Sequence, residues 1–335
     1  MGEGGYRQIN KTLNACAFDD YLVVQQSRLP KLADVEQLSS RVIRVLGQNA
    51  GKVRLMMPYY PGPCFMRDAY VVPLQFTLQG TNTYIVGTGQ KRLIIDTAQG
   101  YRAWADLIKA TLDERGIALS HVLLTHWHGD HTGGVPDLIR MYPDLKEGVY
   151  KNSPEHGQQP IEEGQLLCVE GATIRAVHAP GHSHDHMCFI LEEEQIMFTG
   201  DNVLGHGTSA VEQLGVYMDS LLKLQSQGCV VGYPAHGAVI DDLPGKITAE
   251  LAQKRRREKQ CISTLSRLRS GQTAAQSSVT VSELVDEMHG TQLDAEVRKM
   301  ALEPFVEEVL RKLAGDGKVG YHVRKGVRKW FVLQG

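Results

Sequence analysis

The stretch from Thr125 to His131, THWHGDH, constrains this chain more than any other. It places His126, His128, Asp130 and His131 within six residues, directly after the apolar run His121 to Leu124. That run is short and bounded, as a buried strand would be, so the four side chains sit where a strand opens into a loop. On extended backbone the side chains at i and i+2 point the same way, so His126 and His128 can converge on one ion. Asp130 and His131 lie past the strand end and can turn toward a second ion nearby. Imidazole and carboxylate together suit a borderline cation such as zinc. The bland alternative is a polar loop with histidines by chance, and the density of donors argues against it.

Three later motifs each follow an apolar run: His182 in HAPGHS after Ala172 to Val177, Asp201 in FTGD after Gln195 to Phe198, and His236 in GYPAHG after Cys229 to Val231. An HxHxDH motif after a β-strand, followed by these in this order, resembles the metallo-β-lactamase fold hydrolases over roughly residues 42–237. The resemblance implies an α/β fold, a four-layer αββα sandwich. It also implies a ligand set. His126, His128 and His182 would hold one zinc ion, Asp130, His131 and His236 a second, and Asp201 would bridge them. Asp96, at the end of the run Lys91 to Ile95, fills a slot that in this family buttresses the metal loop. Two zinc ions sharing a water bring its pKa from about 15.7 toward ~7. Asp130 would then serve both as ligand and as general acid/base. His178, His184, His186 and His206 crowd the same loops without a family slot, and His186 is the best placed for an orienting or substrate contact.

At 335 residues the chain has room for one large domain plus an appendage, and 42 % hydrophobic residues suffice for a sizeable core. A net charge of −2 gives no global pull toward nucleic acid. The six cysteines show no CxxC pairing or framework spacing, so buried free thiols are expected. The start of the chain lacks a basic region followed by an apolar core, and no apolar run reaches roughly 18 residues. The expectation is a soluble, cytoplasmic protein.

The chain divides into an N-terminal helical extension at 1–40, with a helix over Asn10 to Arg28, a catalytic domain at 41–246, and a C-terminal module at 247–335. Strands are expected at Arg41 to Leu46, Phe76 to Val86, Lys91 to Ile95 and across Leu166 to Phe198. Tyr101 to Arg115 is amphipathic through Trp104, Ile108 and Leu112, and Gly116 closes it. Gly134 to Met141 and Ser209 to Gln225 read as further helices. In the C-terminal module a polar helix at Thr248 to Arg269 is followed by a small-residue linker at 271–278. Helices at Val281 to Met288 and Leu302 to Ala314 then lead to a hairpin over Gly320 to Leu333, turning at Lys325-Gly326. Helices capped by a hairpin resemble a small winged-helix module. Its basic residues are diluted by Asp286, Glu287, Glu303, Glu307, Glu308 and Asp316, so packing against the catalytic domain is expected over binding nucleic acid.

The details THWHGDHTGGVPDL, HAPGHSHDHMCF and FTGDNVLGHGT, with the N-terminal YRQINKTLNACAFDDYL, resemble a fungal subgroup described as atrochrysone carboxyl ACP thioesterases. That resemblance implies a zinc-dependent hydrolase that releases an aromatic polyketide from the acyl carrier protein of a non-reducing polyketide synthase. No membrane is implied. A thiol leaving group, with pKa about 8.5, needs little acid assistance. The alternative is a zinc endoribonuclease of the lactamase-beta-two type, which must expel a poorer alkoxide and would want a basic groove. β-Lactamase activity, and a non-enzymatic role with metal kept for structure, rank behind both.

One segment breaks the pattern. Val53 to Gln75, 23 residues rich in Pro, Met and Tyr, separates the first two strands. Valine codons begin with GT and a glutamine codon ends in AG, so a retained in-frame intron is the expected reading and a lid over the metals the other. Sequencing of mature messenger RNA decides between them. A junction of the Lys52 and Phe76 codons is expected, and a transcript that carries the segment throughout overturns the intron.

Overall fold

The computed structural model of the chain describes residues 29–49, 79–269, 278–290 and 298–333. The expected helix at Asn10 to Arg28, the 53–75 segment and residues 271–277 of the linker lie outside them.

Seven strands form the first sheet in sequential order: β1 (Val35–Gln37), β2 (Val42–Leu46), β3 (Asn82–Val86), β4 (Lys91–Ile95), β5 (Ala118–Leu123), β6 (Val149–Lys151) and β7 (Gln159–Pro160). The second sheet has the order β12–β11–β10–β9–β8. Its strands are β8 (Leu166–Val169), β9 (Ala172–His178), β10 (Met187–Leu191), β11 (Ile196–Gly200) and β12 (Val231–Pro234). Helices α1 (Arg102–Arg115), α2 (Gly129–Thr132) and α3 (Val135–Met141) belong to the first half, and α4 (Leu214–Gln225) and α5 (Leu243–Arg269) to the second.

The central strands are apolar on both faces because each feeds two cores. Tyr84, Val86, Leu93 and Ile95 enter the core between the sheets, where they meet Ala176, Phe189, Leu191 and Phe198 from the second sheet. The alternate residues Ile43, Ile85, Ile94 and Val122 pack outward on Trp104, Ile108 and Leu112 of α1 and Leu138 of α3. On the far side of the second sheet Val177, Cys188, Ile190 and Met197 pack on Leu214, Tyr217 and Leu221 of α4 and Ile247 and Leu251 of α5. Helix, sheet, sheet, helix is the expected αββα sandwich. Gly116 closes α1 in the left-handed conformation at φ 62°, and Pro136 falls in the first turn of α3.

Differences from the expected elements have local causes. Of the strand expected over Phe76 to Val86, residues 76–78 lie outside the described residues, and the observed β3 begins at Asn82, after Gly80 at φ 90°. The helix expected from Ser209 starts at Leu214, since Ser209 and Ala210 are engaged by His182. Short β1, β6 and β7 carry too little alternation to be read from sequence.

The C-terminal residues form α6 (Val281–His289), α7 (Glu303–Gly315) and a hairpin of β13 (Val319–Arg324) and β14 (Val327–Val332). Thr280 and Glu283 make a reciprocal capping box on α6. Lys325 and Gly326 both take positive φ, as a two-residue hairpin turn requires. Leu284, Val306, Leu310, Leu313 and Trp330 share one core with α4, α5 and the second sheet. The hairpin is therefore anchored to the sandwich through Trp330, which is fully buried. Trp330→Ala is expected to cost about 3–5 kcal/mol of stability. Urea denaturation checks this, and a loss below about 1 kcal/mol would mean that the hairpin is an independent appendage.

Candidate metal centre

All seven donors named from the motifs come together at one edge of the sandwich. They form two groups, His126, His128, His182 and Asp201 in one and Asp130, His131 and His236 in the other, each with its ligand atoms within 4.8 Å of one another. The positions follow from strand ends. His126 lies just past β5, Asp201 directly after β11 and His236 just past β12, and His182 lies in the loop between β9 and β10.

In the first group His126 Nε2, His128 Nδ1 and His182 Nε2 form a triangle with edges of 2.8, 3.1 and 3.2 Å. Asp201 Oδ2 stands 3.4 Å from His182 Nε2. In the second, Asp130 Oδ2 is 3.6 Å from His131 Nε2 and 3.4 Å from His236 Nε2. Asp201 Oδ1 is 3.5 and 3.1 Å from the same two nitrogens. Asp201 thus turns one oxygen to each group. Donors held about 2.1 Å from a four-coordinate cation stand about 3.4 Å apart, so both groups have the size of a tetrahedral site. Two of these converging atoms, His131 Nε2 and Asp201 Oδ1, are buried and make no well-aligned hydrogen bond in spite of their close approach. The donor set fits a metal cofactor.

The remote nitrogens are engaged in a way that fixes each ring. His131 Nδ1 donates to Asp96 Oδ2 at 2.8 Å. His182 Nδ1 donates to the Ala210 carbonyl at 2.8 Å, and His236 Nδ1 to the Gly80 carbonyl at 3.1 Å. His126 Nδ1 lies 3.0 Å from Thr125 Oγ1. Asp96 therefore sits where the sequence placed it, behind the loop. The Ala210 and Gly80 carbonyls were not foreseen, because a backbone oxygen leaves no trace in residue type.

Burial and neighbouring imidazoles hold His126 well below the usual histidine range and His128 down to about 3. Burial also acts against protonated His131 and His236, but carboxylates overcome it there. Asp130, Asp201 and Asp96 raise His131, and Asp201 and Asp130 raise His236 to about 10. The first group thus presents neutral imidazole lone pairs. The second holds positive charge among carboxylates, the place a cation would take.

The other histidines divide. His186 is buried behind the centre, where its Nε2 accepts from the Asp201 backbone N–H at 3.0 Å, so it orients Asp201. A Cβ on Gly200 would lie 2.6 Å from that nitrogen, which is why glycine precedes Asp201. His178, His184 and His206 are not among the converging donors.

A fold and centre of this kind define a metallohydrolase. The family model of the Metallo-beta-lactamase superfamily matches residues 76–236. Among solved structures, a beta-lactamase domain protein from Burkholderia ambifaria aligns over 92 % of this chain and 96 % of that chain, with TM-score 0.64 and 16 % identity. A metallo-beta-lactamase family protein from Thermus thermophilus aligns over 76 and 94 %, with TM-score 0.55 and 23 % identity. The chain is 72 % identical over 334 residues to the Atrochrysone carboxyl ACP thioesterase AacuM of Aspergillus aculeatus, covering 99 % of this chain and 100 % of that one. It is 63 % identical over 329 residues to an Atrochrysone carboxyl ACP thioesterase of Emericella nidulans, covering 98 and 96 %. The chain belongs to the metallo-beta-lactamase superfamily and, within it, to the family of these thioesterases.

Asp201→Ala removes a donor from both groups and is expected to lower the metal content of the purified protein. Asp96→Ala frees His131 and should weaken metal binding about 10–100-fold. Elemental analysis after dialysis against a chelator measures both, and wild-type content in Asp201→Ala would contradict the shared-donor geometry.

Proposed function

We infer that the protein is a zinc-dependent thioesterase that hydrolyses an aromatic polyketide from the acyl carrier protein of a polyketide synthase. The observation that carries this is 72 % identity, over 99 % of this chain and 100 % of that one, to a relative named for that activity. In this reading His126, His128 and His182 hold one zinc ion, Asp130, His131 and His236 hold another, and Asp201 serves both. Bound zinc supplies Lewis acidity and brings the pKa of water from 15.7 toward about 7. Asp130 moves the proton at its carboxylate. Its side chain keeps 16 % exposure, whereas His131 and His236 behind it keep 0 and 4 %, so within the second group it is the donor that reaches the substrate side. His131 and His236 hold Asp130 low, at about 2 against the pull of burial, which keeps it ionised as a metal-holding carboxylate must be.

A thioester suits the site because its thiol leaves with a pKa of about 8.5. The ribonuclease alternative has no support among the named relatives. Cations that could serve RNA are also taken up within the C-terminal residues, as Arg298 pairs with Asp286, Arg328 with Glu307 and Lys318 with Asp316. The carrier partner we assign is that of a non-reducing synthase without its own thioesterase. We assign the cytoplasm as compartment, in keeping with the free Cys188, Cys229 and Cys261. No helix of the described residues is long and apolar enough to cross a membrane.

Purified protein should release the acid from an acyl-carrier thioester and leave single-stranded RNA intact, and the reverse preference would sink the proposal. Asp130→Asn should lower kcat by about 100-fold or more while the first group keeps its metal.

A further inference from the structure

The loop from Gly205 to Ala210 touches both donor groups through its backbone. Gly205 N–H donates to the His236 carbonyl at 2.8 Å. At its other end the Ala210 carbonyl accepts from His182 Nδ1 at 2.8 Å, with Ser209 Oγ 3.2 Å from the same nitrogen. Between these ends the loop is held by α5, which lies outside the two sheets that supply the donors. Lys246 Nζ donates to the Gly207 carbonyl at 2.9 Å. Lys254 Nζ donates to Thr208 Oγ1 at 3.0 Å, and Thr208 Oγ1 donates in turn to Glu250 Oε2 at 2.7 Å. Positions 246, 250 and 254 fall on one face of the helix.

These charges are costly where they sit. Lys254 and Glu250 are 3 and 4 % exposed. Glu250 pairs with Lys246 at 3.5 Å, and Lys254 reaches Glu250 only through Thr208 Oγ1. Buried charges of this kind are often no more stabilising than apolar side chains of the same shape, so stability alone does not call for them. What they supply that apolar residues cannot is directional hydrogen bonding to one loop. The same Lys254 ammonium lies 5.5 Å over the Tyr217 ring, whose hydroxyl donates to the carbonyl of Asn202, next to Asp201. The contacts of α5 thus lead to the surroundings of three donors.

We propose that Lys254, Glu250 and Thr208 are positioning residues for the metal centre: α5 fixes the 205–210 loop, and the loop fixes the His182 imidazole. This rests on His182 being a metal donor, as in the proposed function, but not on the identity of the substrate. The geometry gives a C-terminal element a direct part in a centre built by the two sheets.

The test uses full-length protein loaded with cobalt(II), whose visible absorption reports ligand geometry, and follows cobalt loss to a chelator. Thr208→Val and Lys254→Met should change the spectrum and speed cobalt loss by about tenfold. Thr208→Ser, which keeps the hydroxyl, should restore both. Trp330→Ala, destabilised in the hairpin core without removing a hydrogen bond to the loop, should keep the wild-type spectrum. Thr208 is exposed apart from its hydroxyl, so Thr208→Val decides the matter even if Lys254→Met fails to fold. Wild-type spectrum and chelator resistance in Thr208→Val overturn the proposal, as does identical behaviour of the valine and serine variants. His182→Ala gives the reference for a centre lacking that donor, and a wild-type spectrum there would remove the ligand assignment and this inference with it.

Discussion

The carboxylate of Asp96 accepts from the Thr125 backbone N–H at 2.8 Å, from Thr125 Oγ1 at 2.9 Å and from His131 Nδ1 at 2.8 Å. It is almost fully buried, and a carboxyl group there is tolerated only because donors surround it. Those bonds tie the end of β4 to the loop that leaves β5. Thr97 closes the same connection from its other side, since its N–H and hydroxyl both donate to the His131 carbonyl, at 2.7 and 2.8 Å. His131 is thus held by ring and backbone at once. Asp96 itself takes φ 58°, a left-handed conformation that aspartate tolerates better than most residues and that turns its carboxylate back under the loop.

Strand direction explains why such a strut is available. Antiparallel neighbours end at opposite edges of a sheet, whereas parallel neighbours end together. Each sheet here is antiparallel for part of its width and turns parallel beside the centre, from β4 through β7 in one and at β11 with β12 in the other. The pairs that matter are β4 with β5 and β11 with β12. The first pair delivers Asp96 and the THWHGDH loop to one edge. The second delivers Asp201 and His236. Acceptors and donors that must meet are therefore brought out side by side by the same register that pairs the strands.

Much of this was legible in the sequence because ligand type and spacing are chemical requirements. His126 and His128 two residues apart, and an aspartate or histidine closing each of three later apolar runs, mark the centre without any coordinates. The strand Lys91 to Ile95 and the helix ending at Arg115 were legible for the same reason, since period and cap agree. What was hidden depends on backbone rather than on residue type. The carbonyls of Gly80 and Ala210 orient His236 and His182, and any residue could supply them. Ser209 looks like the first residue of a helix, yet its hydroxyl is drawn to His182 and to the Ala210 carbonyl, and the helix waits until Leu214. The bracing of the 205–210 loop by α5 could not be read either, because nothing local to Lys254 says which loop it faces.

The centre draws His126, His128, Asp130 and His131 from the first sheet and His182, Asp201 and His236 from the second. Its internal distances are consequently set by the core between the sheets, not by either sheet alone. Phe189 and Phe198 on one side and Tyr84 and Ile95 on the other fix that separation, and interiors packed at this density deform little. Tyr84 adds a directional tie across the same core, donating its hydroxyl to the Pro234 carbonyl at 2.6 Å, two residues before His236. The dependence runs both ways. Donors that converge from two sheets bind a cation only when the sheets are packed, so any cation bound there favours the packed state by mass action. Asp201 makes this coupling tightest. Its two oxygens face the two groups, and its Oδ1 meets His131 of the first sheet as well as His236 of its own, so a relative shift of the sheets would part Oδ1 from His131.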